Sequence, residues 1–99
     1  MEINKTKEGN KLTIALSGEL NTITAPELSE VLNAELPSVT ELVFDLKDLS
    51  YTSSAGLRLF LMAQQTMDNQ GSMVMKGVNE DIMIVLEETG FADFLQIEG

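Results

Sequence analysis

Residues 42–58 read LVFDLKDLSYTSSAGLR, and this stretch decides the fold. Its first part, Leu42 to Leu46, is a nearly continuous apolar run of strand length, which is typical of an interior strand covered on both faces. From Ser53 onward the apolar residues recur at helical spacing. The stretch therefore predicts a central strand that leads directly into a helix.

This helix is predicted to run from Ser53 to Gln70 and to end at Gly71. One side of it is apolar, as in an amphipathic helix that packs on a sheet. That side consists of Leu57, Phe60, Leu61 and Met67, and Leu59, Met62 and Ala63 widen it.

The chain beyond Gly71 predicts one more strand and one more helix. Residues 72–75 form the strand, Asn79 has the side chain of a helix N-cap, and Gly90 closes the helix. The acids Glu80 and Asp81 favour a helix start through the helix dipole. A short terminal element packs on the core through Phe91, Phe94, Leu95 and Ile97.

The N-terminal part predicts a hairpin followed by a helix. Apolar and polar residues alternate from Leu12 to Ser17, a shorter strand around Ile3 precedes them, and residues 8–10 form the turn. Residues 18–21 break the strand pattern. Thr24 and Glu27 then have capping-box spacing, Pro26 suits a first turn, and Pro37 ends the helix. Its apolar stripe is Leu28, Val31, Leu32 and Leu36.

These elements predict an α/β fold made of a single domain over residues 1–99. Right-handed crossovers give a mixed sheet of four to five strands with a parallel centre and three or more helices packed against it. The chain has no repeat, linker or low-complexity segment.

Composition excludes several classes of function. Six basic and sixteen acidic residues give a net charge of −10, which disfavours binding to nucleic acids and to anionic lipids. No apolar run is long enough to insert into a membrane, so we expect a soluble cytoplasmic protein. The chain lacks histidine and cysteine, and its carboxylates match no known metal-binding loop. We therefore expect no metal site, no catalytic residues and no enzymatic activity.

The loop between the central strand and the second helix carries the strongest functional signal. Loops at the carboxyl ends of parallel strands are where sites usually form. Ser53 or Ser54 can cap the helix, and capping is the ordinary role of serines at a helix start.

Residues 51–58, YTSSAGLR, resemble the signature of the STAS-domain anti-sigma factor antagonists, also called anti-anti-sigma factors. Residues 18–21, 25–28, 43–46 and 89–91 fall at the spacing of that bacterial family. The resemblance implies phosphorylation on Ser54, with Ser53 and Thr52 as competing acceptors. It also implies a partner-binding surface made of Asn21, Thr22, Ser53, Ser54, Ala55, Gly56, Leu57, Arg58 and Leu61.

The resemblance further implies a function in transcription regulation. The unphosphorylated protein binds an anti-sigma factor that is a serine kinase and so releases a sigma factor, and phosphorylation blocks that binding. ATP and magnesium belong to the kinase, so the chain itself needs no cofactor, and a serine phosphatase is a further partner. Well-studied members have aspartates where this chain has Asn21 and Ser53.

Other STAS modules leave two alternatives. The chain can be a regulatory subunit of a transporter ATPase or of a stress-signalling complex, or a constitutive binding module that is not phosphorylated. Arg58 shares a helix face with Ser54 and either pairs with a phosphate or a partner carboxylate, or is an ordinary exposed arginine. Most methionines, including Met62, are predicted to fill the core, and the alternative is a Met-lined groove for a lipid or a peptide.

Overall fold

After an N-terminal pair of strands, helices and strands alternate along the chain. The computed structural model describes residues 1–98, so Gly99 of the predicted domain lies outside the described part. The strands are β1 (Glu2–Glu8), β2 (Lys11–Leu20), β3 (Glu41–Thr52), β4 (Ser72–Lys76) and β5 (Ile97–Glu98). The α-helices are α1 (Ala25–Glu35), α2 (Ser54–Gln70) and α3 (Glu80–Thr89), and 3-10 turns span Leu36–Ser38 and Phe91–Asp93.

The strands form one five-stranded sheet in the order β1-β2-β3-β4-β5. β1 pairs antiparallel with β2, and the remaining pairs are parallel. The predicted fold class, a mixed sheet with a parallel centre and three helices, is confirmed, and so is the central position of β3.

The N-terminal hairpin is also confirmed, with Gly9 at φ +62 in its turn. However, β2 does not end before Gly18 as predicted. It continues to Leu20 because Gly18 takes a φ of +96, a conformation that glycine adopts without strain, and the pairing with β3 resumes beyond it. β2 therefore reaches the same edge of the sheet as the end of β3.

The three helices cover one face of the sheet. Since β2 to β5 are parallel and follow chain order, right-handed crossovers place α1, α2 and α3 on the same side. The core lies between these layers and includes, from the strands, Leu12, Ile14, Leu16, Leu42, Phe44, Leu46, Met73 and Met75.

The prediction that β3 is covered on both faces is wrong. Val43 points away from the core and lies between its pairing partners, Thr13 on β2 and Val74 on β4. Val43 is nevertheless buried, because residues of the neighbouring strands flank it. Because the neighbouring strands bury Val43, the apolar run of residues 42–46 does not require helices on both faces of the sheet.

Two apolar side chains predicted to be buried are exposed. Met62 lies on the side of α2 that faces away from the sheet, and Phe94 projects into solvent while Leu95 fills the core. The predicted N-cap Asn79 is confirmed by a 2.8 Å bond from the Ile82 amide, and Gly90 closes α3 at φ +80. Within residues 1–98, no helix combines the length and hydrophobicity needed to span a bilayer.

Candidate functional site

The carboxyl ends of β2 and β3 meet at one edge of the sheet. The Ser53 amide donates a 2.8 Å hydrogen bond to the Leu20 carbonyl, and the Ser50 hydroxyl donates one of 2.9 Å to the Gly18 carbonyl. β3 has an extra residue at each of two register shifts against β2. Such bulges redirect a strand, and here they precede the start of α2. The two loops that follow these strands are therefore neighbours.

The loop between β2 and α1 is held by its own side chains. The Asn21 side-chain oxygen accepts hydrogen bonds from the amides of Ile23 at 2.9 Å and Thr24 at 3.1 Å. The Thr24 hydroxyl accepts from the Asn21 amide at 2.8 Å and donates to the Glu19 carbonyl at 3.0 Å. These bonds fix the loop and leave Thr22 and Ile23 exposed.

The predicted capping box of Thr24 and Glu27 is wrong. Thr24 is the N-cap residue of α1, but its φ of −91 and ψ of −20 are helical, and its side chain makes no cap hydrogen bond. The hydroxyl instead points back into the loop, where Asn21 and Glu19 occupy it. Hydrogen bonds to the preceding loop and the end of β2 have thus replaced the cap.

The two serines at the start of α2 have different environments. Ser53 is the N-cap, and its hydroxyl accepts a hydrogen bond of 3.4 Å from the Gly56 amide. Ser54 is the first helical residue and is exposed. Because Ser53 makes the cap, the Ser54 hydroxyl is free of that structural role. The capping prediction is confirmed for Ser53.

Three residues predicted to act at this site are buried. Thr52 is 5% exposed and Leu57 is 1% exposed. Gly56 is also buried, and a Cβ atom there would collide with the Thr52 hydroxyl and lie 2.6 Å from Leu20 side-chain atoms. This burial argues against Thr52 as an acceptor and against Gly56 and Leu57 as partner contacts, because these residues join α2 to the sheet.

The other predicted site residues of α2 are accessible to different degrees. Arg58 is exposed, whereas Ala55 and Leu61 are half-buried. Among residues 1–98, Arg58 has no carboxylate within ion-pair distance. The structure thus brings Asn21, Thr22, Ser53, Ser54, Ala55 and Arg58 to one end of the molecule.

Sequence reasoning missed exposed apolar residues beside this site. Ile23 is 84% exposed and Met62 is 59% exposed. The sequence did contain a signal that Met62 is exposed. Residues 54, 58 and 62 recur at a spacing of four, so Met62 shares a helix face with Ser54 and Arg58. Ile23 carried no such signal, because it lies in a loop whose backbone is held by the Asn21 side chain.

Replacing Ser53 by alanine is expected to lower the free energy of unfolding by about 1 kcal/mol, the usual loss for a missing N-cap. Ser54→Ala is the matched control and should change the free energy by less than about 0.5 kcal/mol, because that hydroxyl makes no cap. Urea denaturation followed by circular dichroism measures both. Equal losses would contradict the assignment of the cap to Ser53.

The described part of the chain has no constellation of metal-binding groups. Among residues 1–98, no three carboxylate side chains are close enough to hold a metal ion. What the site offers is an exposed hydroxyl at the start of a helix, where free amide groups and the helix dipole favour an added anion. Such a site can accept a phosphoryl group and keep its fold.

The STAS domain family model matches residues 2–99. The chain belongs to the STAS domain family. The anti-sigma-B factor antagonist of Listeria monocytogenes is 31% identical over 98 residues, which cover 95% of this chain and 84% of that protein. The anti-sigma-B factor antagonist of Staphylococcus aureus is 29% identical over 99 residues, covering 98% of this chain and 92% of that protein.

This STAS domain also shares its fold with solved structures of the anti-sigma factor antagonist SpoIIAA. The unphosphorylated form matches with a TM-score of 0.85 and 16% identity over 99% of this chain and 89% of that one. The phosphorylated form, from Bacillus, matches with a TM-score of 0.78 at the same 16% identity, over 99% of this chain and 92% of that one. The likeness covers all the elements described above.

Proposed function

We propose that this STAS domain is an anti-sigma factor antagonist controlled by phosphorylation on Ser54. In its unphosphorylated form it binds an anti-sigma factor that is a serine kinase, and the bound sigma factor is released. The observation that carries the proposal is the exposed Ser54 hydroxyl, which the cap made by Ser53 leaves free. The names of the Listeria and Staphylococcus relatives support the same role.

A phosphate on Ser54 changes the surface more than the fold. It adds about −1.5 to −2 charges at pH 7, and the first turn of α2 tolerates an anion. An interface formed around a neutral hydroxyl would have to bury this charge, which is unfavourable unless a cation pairs with it. The affinity for the partner should therefore fall while the STAS domain stays folded.

The partner surface in this proposal includes the loop between β2 and α1. Asn21 and Thr22 lie beside the start of α2, since Leu20 is hydrogen-bonded to Ser53. Ala55, Arg58 and Leu61 extend the surface along α2. The kinase brings ATP and magnesium, and a serine phosphatase restores the binding form, so the chain acts as a substrate and a ligand and not as an enzyme.

Asn21 and Ser53 occupy positions where well-studied members have aspartates. In this structure each side chain uses an oxygen to accept backbone N–H bonds, Asn21 from Ile23 and Thr24, and Ser53 from Gly56. A carboxylate would accept the same bonds. The local geometry therefore does not depend on the missing negative charges. This supports a phosphorylation site at Ser54 in this chain as in those members.

The test uses the purified STAS domain and the serine-kinase anti-sigma factor of the same organism. With MgATP, we expect one phosphate on Ser54, located by intact and tandem mass spectrometry, and none on Ser54→Ala. The Ser53→Ala variant is the control and should still be modified. Phosphate on Ser53 would contradict the site assignment.

Phosphorylation is expected to weaken binding to that anti-sigma factor about 100-fold, which corresponds to about 2.7 kcal/mol. Isothermal titration calorimetry of the two forms measures the difference. Tight binding by the unmodified protein without any phosphorylation would reject the switch and leave a constitutive binding module.

A further inference from the structure

An open groove runs between α1 and α2 next to the Ser54 end of the molecule. Its walls are Ala25, Pro26 and Ser29 from α1, and Ala55, Leu59 and Met62 from α2. This α1–α2 groove is shallow and open to solvent, with a volume of ≈ 480 Å³. Its floor and sides are mostly apolar, and Met62 is exposed at its rim.

The charges around the α1–α2 groove differ from those of the whole chain. The chain has sixteen acidic and six basic residues, yet no acidic side chain lines the groove. Arg58, the single arginine, does line it. Three lysines make ion pairs with carboxylates, whereas Arg58 makes none among residues 1–98. Among the described residues that line the groove, Arg58 is therefore the one charged side chain, and its charge is positive.

The side chains of the α1–α2 groove have the composition of a protein-binding surface. Methionine and arginine are enriched at the centres of protein interfaces, where lysine and the acidic residues are depleted. Met62 is flexible and polarizable, so it can adapt to an incoming side chain. Arg58 carries a planar group that pairs well with a carboxylate.

We propose that the α1–α2 groove binds a segment of the anti-sigma factor in which an apolar side chain neighbours a carboxylate. The apolar side chain packs on Leu59 and Met62, and the carboxylate pairs with Arg58. This inference rests on the proposed function and adds a second contact region to it. The complementary charge of Arg58 is what selects an acidic segment.

The position of Arg58 links the α1–α2 groove to the phosphorylation site. Ser54 and Arg58 are four residues apart on α2, so their side chains share a helix face. A phosphate on Ser54 repels a carboxylate bound at Arg58 and competes with it for the guanidinium group. Phosphorylation then removes the segment from the groove as well as from Ser54.

Calorimetric titration of the unphosphorylated protein with the serine-kinase anti-sigma factor tests this. Met62→Asp is expected to weaken binding about tenfold or more, since charge in an apolar contact is costly. Arg58→Gln is expected to weaken it about tenfold and to reduce its dependence on salt, because an exposed ion pair is screened. Ile84→Asp is the matched control, because Ile84 is 52% exposed on α3 and lies outside the groove. The affinity of this variant for the anti-sigma factor should stay within about twofold of the wild-type value.

The outcomes separate this inference from the proposed function. A wild-type protein that binds no anti-sigma factor rejects both. Wild-type binding that survives Met62→Asp and Arg58→Gln rejects the α1–α2 groove and leaves the function intact. If Arg58→Gln weakens binding but leaves its salt dependence unchanged, a carboxylate of the partner does not pair with Arg58. Circular dichroism of each variant shows whether it is folded. As a further check, Arg58→Glu reverses the charge and should weaken binding more than Arg58→Gln does.

Discussion

Replacing Phe44 by alanine is expected to lower the free energy of unfolding by about 4 kcal/mol, within the range for removing a buried phenylalanine. Phe44 is 0% exposed in β3, the middle strand of the sheet. Its ring meets that of Phe60 on α2 edge to face, with centroids 5.0 Å apart and planes at 80°. The change therefore removes apolar burial and the aromatic contact that joins the sheet to α2.

Equilibrium unfolding in urea measures this loss. A domain of this size has a total stability of about 5–15 kcal/mol, so the variant should keep about 1–11 kcal/mol and unfold at a lower urea concentration than wild type. Phe94→Ala is the matched control, because Phe94 is 67% exposed and should cost less than about 1 kcal/mol. Similar losses from both variants would mean that Phe44 is not a core residue.

Gly56→Ala is expected to lower the free energy of unfolding by about 3 kcal/mol, the upper range for overpacking a core. The added methyl group would collide with the Thr52 hydroxyl and lie 2.6 Å from the Leu20 side chain. To relieve this crowding, α2 must move away from β2 and β3. Ser54 begins α2, so partner binding should weaken as well.

A double-mutant cycle distinguishes crowding from the helix propensity of the new residue. Leu20→Ala removes side-chain atoms that the new methyl group would meet, so the double variant should be less destabilised than the sum of the single variants. Unfolding in urea measures all four proteins. Strict additivity, or a Gly56→Ala variant as stable as wild type, would show that α2 does not pack closely on Leu20.

Local patterns predicted most of the fold because they reflect backbone rules. The alternation in residues 12–17 and the stripe along α1 follow from which face of each element is buried. Asn79, Ser53 and Gly90 act at helix ends, where one side chain or one backbone conformation decides the outcome. The mixed sheet with a parallel centre followed from right-handed crossovers.

Contacts that the local sequence pattern does not encode explain what the sequence did not predict. The Thr24 hydroxyl bonds to Glu19 in the preceding strand instead of capping α1. Met62 belongs to a helical apolar pattern, yet the sheet that covers the rest of this pattern does not reach it. At the site, the sequence pattern predicted that Ser54 lies at the start of α2. Only the packing on Leu20 shows that Gly56 is needed for close contact between α2 and the sheet.

The order of strands in the sheet has a consequence for synthesis on the ribosome. Each strand pairs with the strand that precedes it in the chain. No strand of this sheet therefore pairs first with a partner that is synthesised much later. The parallel pairs join residues one crossover apart, such as Lys11 with Glu41 and Glu41 with Ser72, so they form more slowly than the N-terminal hairpin. The emerging chain can add one crossover at a time to a growing core, and the last strand, two residues long, completes an already assembled layer.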